Sequence, residues 1–358
     1  MRYIGNKENI IEKIWYILNQ NDVSGESFFD FFSGTTNVAR FYKDLGYRVF
    51  SSDVMYMSYC LQKAYIENNN EPMFEKLMPI IADNVKNNLL FSTPLEKVCT
   101  VLNNTSDVEG FIYQNYTPGG TRTLEQPRMY FSDENGKRID AIRTKIEDWN
   151  NQCLLTEFEY YILIACLLET VSFYANVAGV YAAFHKKWDP RAVKRLELRT
   201  IAIHNNKKNN QVYNSNSMEL IDKVKADILY LDPPYNERQY LPNYHLIETI
   251  AKYDSPQIKG VSGMRDYENK KSSFCNAKTA LRDLNIIAEK ACYKYLVMSY
   301  NSEGIMPEEE VMTMLAKYGE VKLEKFLYSR FKSNNNGLAK TKRNIYEYLY
   351  ILKRSDYV

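Results

Sequence analysis

Residues 228–235 read Ile-Leu-Tyr-Leu-Asp-Pro-Pro-Tyr, an apolar, β-favouring run that ends in a carboxylate, two prolines and an aromatic ring. The run predicts a buried strand over 226–231, and proline cannot continue a central strand because it has no N–H to donate. The strand should therefore end at Asp232. Since open α/β sheets bind ligands at the carboxyl ends of their strands, the pattern favours an α/β fold with Asp232 at its ligand-binding edge.

Asp232, Pro233 and Tyr235 suit the binding of a planar group that bears an amino substituent. An exocyclic amino nitrogen on a base is a poor nucleophile because its lone pair is delocalised into the ring. The Asp232 carboxylate and the Pro233 carbonyl can each accept a hydrogen bond from it and stabilise the charge that develops there, while the Tyr235 ring stacks on the base. The pattern predicts methylation of a base amino group; an ordinary Asp-Pro-Pro turn is the alternative.

The first 70 residues have the helix and strand order of half a nucleotide-binding α/β sheet. Apolar spacing predicts helices and buried strands in alternation over residues 8–20, 27–32, 38–45, 47–51 and 56–69. Ser33-Gly34-Thr35-Thr36-Asn37 is the turn after the first strand, and Asp53 follows the second. A carboxylate at that point suits the ribose hydroxyls of an adenosine, and a helix N-cap is the alternative.

The α/β pattern is interrupted over residues 100–152. This region contains Pro118-Gly119-Gly120 and the turn-like Asp133-Glu134-Asn135-Gly136, so we predict an insertion with loops and a short hairpin, followed by a helix over 139–149. Further helices are predicted over 155–175, 243–253, 276–291 and 307–318, and strands over 212–213, 295–300, 321–328 and 345–352. The last two strands suggest an antiparallel hairpin at the sheet edge.

Local charge is more informative than overall charge. The chain has 46 Lys and Arg against 44 Asp and Glu, a formal charge of only +2. Residues 184–210, however, carry eight basic residues against two acids, and residues 322–345 carry seven against one. Aromatic and Asn side chains accompany both stretches, which suits contact with phosphates. Solvated basic faces are the alternative.

The composition is that of a reduced, soluble protein of the cytoplasm. The six cysteines include no C-x-x-C pair, and with three histidines the sequence has no metal-ligand spacing. Cys60 and Cys166 lie in apolar helical patterns and should be core residues. The chain has neither the hydrophobic run of a signal peptide at its amino terminus nor an apolar stretch of the roughly 18 residues that a membrane span needs.

The motifs and their order resemble those of the adenine-N6 DNA methyltransferases of the Dam-like class, which includes type II modification methylases. The resemblance covers essentially the whole chain and rests on Arg2-Tyr3-Ile4-Gly5-Asn6-Lys7, Asp30-Phe31-Phe32-Ser33-Gly34, Asp53, Asp232-Pro233-Pro234-Tyr235, Met298-Ser299-Tyr300-Asn301 and Glu347-Tyr348-Leu349. It implies a Rossmann-like, S-adenosylmethionine-dependent methyltransferase core over 1–99 and 153–358. The inserted small target-recognition region would be 100–152.

The resemblance also implies roles for individual residues. Asp232, Pro233 and Tyr235 would be catalytic, and the cofactor would be bound by Tyr3, Lys7, Asp30, Phe32, Gly34, Asp53, Asn216 and Asp232. The family's usual second glycine in the cofactor loop is absent here, where Thr36 and Asn37 stand in its neighbourhood. No metal is required, because the sulfonium is already a good leaving group.

The sequence of the target DNA must be read outside the catalytic motif, and the target base must be flipped out to reach the pocket. Arginine can read guanine edges, while lysine mostly contacts the backbone. The candidates for DNA contact are Arg122, Arg128, Lys186, Lys187, Arg265, Lys270 and Lys271. Under the alternative, each of these segments is an ordinary surface loop.

We therefore expect a site-specific adenine-N6 methyltransferase that acts on double-stranded DNA, in a restriction–modification system with a cognate endonuclease as a further partner. An RNA base-amino methyltransferase is one alternative, because some such enzymes share Asp-Pro-Pro-Tyr. They should be smaller and lack the amino-terminal motif and the insertion. A non-catalytic DNA-binding protein on a methyltransferase fold is another. Cytosine methylation is disfavoured, because that class tends to have Ser in place of Asp232.

Overall fold

The computed structural model describes residues 3–82, 92–329 and 344–355 and divides the chain into two units of interleaved segments. The sheet unit, as we call it, comprises Ile4–Gln62, Asn205–Leu241 and Glu268–Val358. The helical unit comprises Met1–Tyr3, Lys63–His204 and Pro242–Tyr267. The region over 100–152 belongs to the helical unit together with its flanking segments, and its role in target recognition stays a prediction.

The strands of the described residues are β1 (Ser27–Asp30), β2 (Arg48–Ser52), β3 (Gln211–Tyr213), β4 (Lys225–Leu231), β5 (Ile258–Lys259), β6 (Met264–Arg265), β7 (Cys292–Asn301), β8 (Gly319–Ser329) and β9 (Asn344–Arg354). Within the described ranges, seven of them form the sheet of the sheet unit, in the order β3-β2-β1-β4-β7-β9-β8. β9 is antiparallel to both of its neighbours, and the other pairs are parallel. β5 and β6 pair as a short ribbon in the helical unit.

This topology confirms the predicted α/β class and gives the sheet a switch point between β1 and β4. β2 and β3 extend the sheet outward from β1 on one side, whereas β7 extends it outward from β4 on the other. In open α/β sheets the crevice at such a point, outside the carboxyl ends of the strands, is where ligands bind. Asp30 ends β1, and Asp232 follows β4 directly.

Both faces of the central strands are buried, as expected for parallel strands inside a sheet. Phe28 of β1 packs one face, where its ring stacks on that of Tyr42 at 3.6 Å between centroids. Phe29 and Leu229 point to the other face and join a core cluster that includes Leu284. This alternation is the two-residue period of a β-strand.

The helices are α1 (Ile11–Gln20), α2 (Asn37–Asp44), α3 (Tyr56–Gln62), α4 (Met78–Ile81), α5 (Pro94–Asn103), α6 (Phe111–Tyr116), α7 (Asp133–Asn151), α8 (Glu157–Tyr174), α9 (Leu241–Lys252), α10 (Ala277–Lys290) and α11 (Glu308–Leu315). Eight of them confirm the helices predicted from apolar spacing, although the one predicted over 56–69 ends at Gln62 and continues as a π-helical turn over Lys63–Glu67. α4, α5 and α6 were not predicted, and α6 lies where loops were expected. Cys60 and Cys166 are fully buried, as predicted.

The short hairpin predicted within 100–152 is wrong. The turn-like Asp133-Glu134-Asn135-Gly136 is instead the first turn of α7, where the Ser132 hydroxyl caps the helix by accepting from the Asn135 N–H at 3.2 Å. Polar residues that favour turns also favour the first turn of a helix. Gly136 is required by packing rather than by a turn, because a Cβ there would lie 2.3 Å from Cγ2 of Thr117.

The hairpin predicted for the end of the chain is confirmed. β8 and β9 pair antiparallel at the sheet edge, with Phe326 opposite Glu347. Residues 330–343, which carry much of the second basic stretch, lie outside the described residues. In the part of the chain that is described, no helix is both long enough and apolar enough to cross a bilayer.

Candidate active site

Asp232 lies where the sequence predicts it, immediately after β4 at the carboxyl edge of the sheet. Its side chain keeps 19% of its surface exposed, so a substrate can reach the carboxylate. Pro233 and Pro234 behind it are buried. The Tyr235 carbonyl accepts the N–H of Ile305 at 3.1 Å, which ties the segment to the loop after β7 and leaves the half-buried Tyr235 ring packed against the core.

Lys7 is the cation of the site, and two carboxylates share it. Its Nζ lies 3.2 Å from Oδ1 of Asp232 and 2.7 Å from Oε1 of Glu347, and only 7% of the side chain is exposed. The Ser299 hydroxyl donates to the same Glu347 oxygen at 2.5 Å. Lys7 was expected at the cofactor, whereas a role for Glu347 and Ser299 was not predicted.

The charges around Lys7 change the acidity of the groups in the site. Burial raises the pKa of Asp232 to about 6, an increase that Lys7 opposes and Glu347 reinforces. Burial by itself would lower the pKa of Lys7, but the two carboxylates outweigh it and the pKa ends above its ordinary value. Lys7 is therefore charged at neutral pH, and Asp232 is a stronger base than an exposed aspartate.

Asp53 connects the end of β2 to the loop after β1. One carboxylate oxygen accepts the N–H of Gly34 at 2.9 Å and the other accepts the N–H of Met55 at 2.8 Å. The second bond closes a local turn just ahead of α3. A carboxylate has about four acceptor sites, so both oxygens can still bind a ligand hydroxyl.

Asp30 faces two other carboxylates from the end of β1. Its pKa is raised to about 7, first by burial and then by the charges of Asp232 and Asp53. Among the described residues, Lys7 is already paired to Asp232 and Glu347, so the carboxylates that surround it give this part of the site an excess of negative charge. Such a surrounding favours a ligand that carries positive charge.

Thr36 lies in the loop after β1, near where the family's second glycine would be expected, and its backbone has a glycine-like conformation. Its φ is +66°, in the left-handed region, and that of Gly34 is +49°. A β-branched residue is rare in this region because its Cβ crowds the following carbonyl. Thr36 is fully buried, and among the described residues its hydroxyl has no hydrogen-bond partner.

Thr36→Gly should raise the free energy of unfolding by about 1 kcal/mol, since it relieves the left-handed strain at a smaller entropic cost. Gly34→Ala should lower it by about as much, because alanine must adopt a positive φ. Urea titrations of the two variants measure both changes. A less stable Thr36→Gly variant would mean that the buried hydroxyl stabilises the loop more than the backbone strain destabilises it.

The remaining residues predicted at the cofactor lie in different surroundings. The Phe32 ring packs edge-on against Phe274 at 5.2 Å. The Asn216 side chain caps a short 3₁₀ turn by accepting from the Met218 N–H at 3.1 Å. Tyr3 belongs to the helical unit, where its ring stacks on Tyr244 at 4.3 Å.

The residues predicted to contact DNA differ in their exposure and in their partners, and Lys271 is both exposed and bonded. Arg122, Lys186 and Lys187 are exposed. Arg128 is buried, and its guanidinium donates to the carbonyls of Asn115, Gly260 and Val261 at 2.9–3.0 Å. The other three bond within their own units: Arg265 with Asp254, Lys270 with the Val54 carbonyl and Lys271 with Glu268.

Lys186 and Arg128 also line an open groove of about 1040 Å³ in the helical unit, beside Gln126, Phe184 and Trp188.

Within residues 3–82, 92–329 and 344–355, no three His, Cys, Asp or Glu side chains form a metal-binding group. That the reaction needs no metal stays a prediction.

Comparison with known proteins finds related sequences along nearly the whole chain. The profile of the family described as D12 class N6 adenine-specific DNA methyltransferase matches residues 3–314. The chain is 39% identical to the type II methyltransferase M.FokI of Planomicrobium okeanokoites, over 99% of this chain and 53% of that protein. It is 37% identical to the modification methylase StsI of Streptococcus sanguinis, over 100% of this chain and 52% of that protein.

A third relative, the type II methyltransferase M.NlaIII of Neisseria lactamica, is 36% identical over 99% of this chain and 100% of its own length. The chain therefore spans about half the length of M.FokI and StsI and the full length of M.NlaIII.

Proposed function

The chain belongs to the D12 class of N6 adenine-specific DNA methyltransferases, and from this we propose that it methylates N6 of an adenine flipped out of double-stranded DNA, with S-adenosylmethionine as the methyl donor. The biological setting we propose is the cytoplasm, where it would act as the modification enzyme of a restriction–modification system and protect sites from a cognate endonuclease. The names of its relatives as type II and modification methylases support this setting.

The observation that carries the proposal is the position of Asp232-Pro233-Pro234-Tyr235 at the switch point of the sheet. Asp232 is reachable, ionised by its contact with Lys7 and followed by a rigid backbone and an aromatic ring. We assign Asp232 and the carbonyl of Pro233 to accept the two hydrogens of the adenine amino group, and Tyr235 to stack on the ring. These acceptors stabilise the positive charge that develops on nitrogen during attack.

The carboxylates near β1 and β2 fit S-adenosylmethionine, which carries a sulfonium and an ammonium group. Asp30 and Asp232 supply negative charge for these cations, and Asp53 supplies acceptors for the ribose hydroxyls. The Thr36 hydroxyl, which is buried and has no hydrogen-bond partner among the residues that the structure describes, gives the loop one more polar group for the ligand. When bound, the cofactor supplies a methyl carbon that takes the amino lone pair as its bond to sulfur breaks, leaving a neutral thioether.

After attack, the amino nitrogen carries one proton too many, and Asp232 is the group placed to take it. A carboxylate with a pKa of about 6 accepts a proton from a methylated aminium and passes it to solvent near neutral pH. Tyr3, Lys7, Phe32, Gly34 and Asn216 remain proposed cofactor contacts, with Gly34 as the position where backbone approaches the ligand closely.

For the DNA itself, the exposed Arg122, Lys186 and Lys187 are the proposed phosphate contacts. Arg128, Arg265, Lys270 and Lys271 remain proposed contacts too, although each would first have to release its present partner. The apolar and aromatic groove beside Lys186 is a candidate surface for base edges.

Incubation with tritiated S-adenosylmethionine and either genomic DNA or total RNA tests the proposed function. Digestion to nucleosides should recover the label as N6-methyladenine from DNA. Label in RNA alone would favour the RNA base-amino methyltransferase, and binding of DNA without any transfer would favour a non-catalytic protein.

Asp30 makes cofactor affinity depend on pH. Since its pKa is about 7, it gains charge as the pH rises through neutrality and should attract the cationic cofactor more strongly. Binding of S-adenosylmethionine should tighten by roughly an order of magnitude between about pH 6 and pH 7.5. Calorimetric titration measures this change, and Asp30→Asn should flatten it. S-adenosylhomocysteine, without the sulfonium charge, should show a weaker dependence; equal dependence for both ligands would contradict the role of Asp30.

A further inference from the structure

Glu347 lies in the active site because β9 runs against its neighbours. It is the fourth residue of β9 and pairs with Asn301, the last residue of β7. The start of an antiparallel strand therefore lies at the same sheet edge as the carboxyl ends of β4 and β7. Ser299 is two positions before Asn301, on the same face of β7, so its hydroxyl reaches the Glu347 carboxylate.

The contacts of Glu347 are those of a group that holds Lys7 in place. Only 2% of Glu347 is exposed, and Oε1 accepts from both Lys7 Nζ and Ser299 Oγ. A buried carboxylate is costly unless it is paired, so these two bonds fix its orientation. Lys7 is bonded more closely to Glu347, at 2.7 Å, than to Asp232, at 3.2 Å.

This unequal sharing matters for Asp232. A lysine paired with Asp232 alone would neutralise it and weaken it as an acceptor for the amino group. With Glu347 opposite, the three groups carry one net negative charge, and Asp232 is kept ionised by Lys7 yet basic. Among the described residues, Asp30, from the end of β1, and the Tyr230 hydroxyl, from β4 itself, also interact with the charge of Asp232.

We propose that Glu347 is a positioning residue for methyl transfer: it draws the Lys7 ammonium toward β9 and so keeps Asp232 a strong hydrogen-bond acceptor for the target amino group. This inference rests on the proposed function, because it gives Asp232 the amino group as its partner. Glu347 itself contacts neither the base nor the cofactor and acts only through Lys7.

Glu347→Gln tests the inference, because glutamine keeps an oxygen for Lys7 and Ser299 but removes the charge. We expect single-turnover transfer to slow about ten-fold and the acid limb of kcat/KM for DNA to move to lower pH by roughly half to one pH unit. The profile is measured at saturating S-adenosylmethionine, whose positive charges keep Asp30 ionised and out of the profile. A structural role alone would slow transfer without moving the limb.

Two further variants complete the experiment. Glu320→Gln removes an exposed carboxylate on neighbouring β8 and should leave both rate and profile unchanged. Glu347→Asp keeps the charge but shortens the reach, so transfer should slow several-fold with the acid limb in place, and this variant decides the matter if Glu347→Gln does not fold. An unmoved limb in Glu347→Gln, or unslowed transfer in Glu347→Asp, overturns the inference alone. Wild-type protein that methylates no DNA overturns the proposed function and the inference with it.

Discussion

Asp232→Asn should slow methyl transfer by at least about a thousand-fold. The amide has the shape of the carboxylate, but it carries no charge to stabilise the developing positive nitrogen and accepts no proton from it. Lys7 would still be held by Glu347 at 2.7 Å, so the fold should persist. Single-turnover transfer from tritiated S-adenosylmethionine measures the loss, and fluorescence anisotropy with duplex DNA should show binding largely intact.

Asp222→Asn is the matched control, since Asp222 is an exposed aspartate just ahead of β4. It should transfer methyl groups at the wild-type rate. If Asp232→Asn lost its folded structure or its DNA affinity along with its activity, Asp232 would be a structural residue of the turn. If it kept most of its activity, the assigned acceptor would be wrong.

Lys7→Met should lower the free energy of unfolding by about 3 kcal/mol at neutral pH, because it leaves two buried carboxylates without their common cation. In the wild type, the pKa of Lys7 is raised on folding, so its stabilising effect is complete below its ordinary pKa and is lost only at more alkaline pH. In the variant, Asp232 lacks the cation that lowers its pKa, so its protonation begins at higher pH and relieves part of the penalty. The stability difference should therefore shrink as the pH falls toward about 6, the pKa of Asp232 in the wild type, and level off below it.

Denaturant titrations of both proteins across this pH range measure the effect. Lys13→Met, the same change at an exposed position of α1, should alter the free energy of unfolding by no more than about 0.5 kcal/mol at any pH. A Lys7→Met penalty that stayed constant as the pH fell would mean that lost packing, and not unpaired charge, is the cause.

The sheet was predictable because apolar runs and their polar ends are local signals. The run before Asp232 and the prolines after it define the end of β4 without any knowledge of the rest of the chain. The apolar spacing that predicts the helices before and after residue 27 is an equally local signal. The pattern failed at Asp133-Gly136, where residues that suit a turn also suit a helix start, and only the packing of Thr117 against Gly136 distinguishes the two.

The candidate active site was predictable only in part, because its charged side chains pair with residues that are distant in the sequence. The carboxyl ends of parallel strands can be found from strand boundaries, which is why Asp53 and Asp232 were predicted, whereas Asp30 was predicted only from the family motif. Glu347 stands near the start of a strand, and its relevance follows only from the direction of β9 in the sheet. The closing Glu-Tyr-Leu of the family motif was the available signal, and it had no assigned chemistry.

The contacts of the arginine and lysine side chains were the least predictable part of the structure. Composition marks a basic stretch, but it does not distinguish a side chain that faces solvent from one that holds the protein together. Arg128 bonds three backbone carbonyls, whereas Lys186, from the same candidate set, is exposed. Both are strong donors, and which acceptors they find depends on tertiary structure alone.

The separation of Lys7 and Glu347 by 340 positions determines when the charge cluster can form during synthesis and folding. Contacts between distant parts of a chain are slow to form, because the intervening chain must first be ordered. During synthesis Lys7 and Asp232 leave the ribosome well before β9, and β8 lacks its pairing strand until β9 arrives. A chain that stops before β9 would thus have Lys7 and Asp232 without Glu347, the carboxylate that completes the charge cluster.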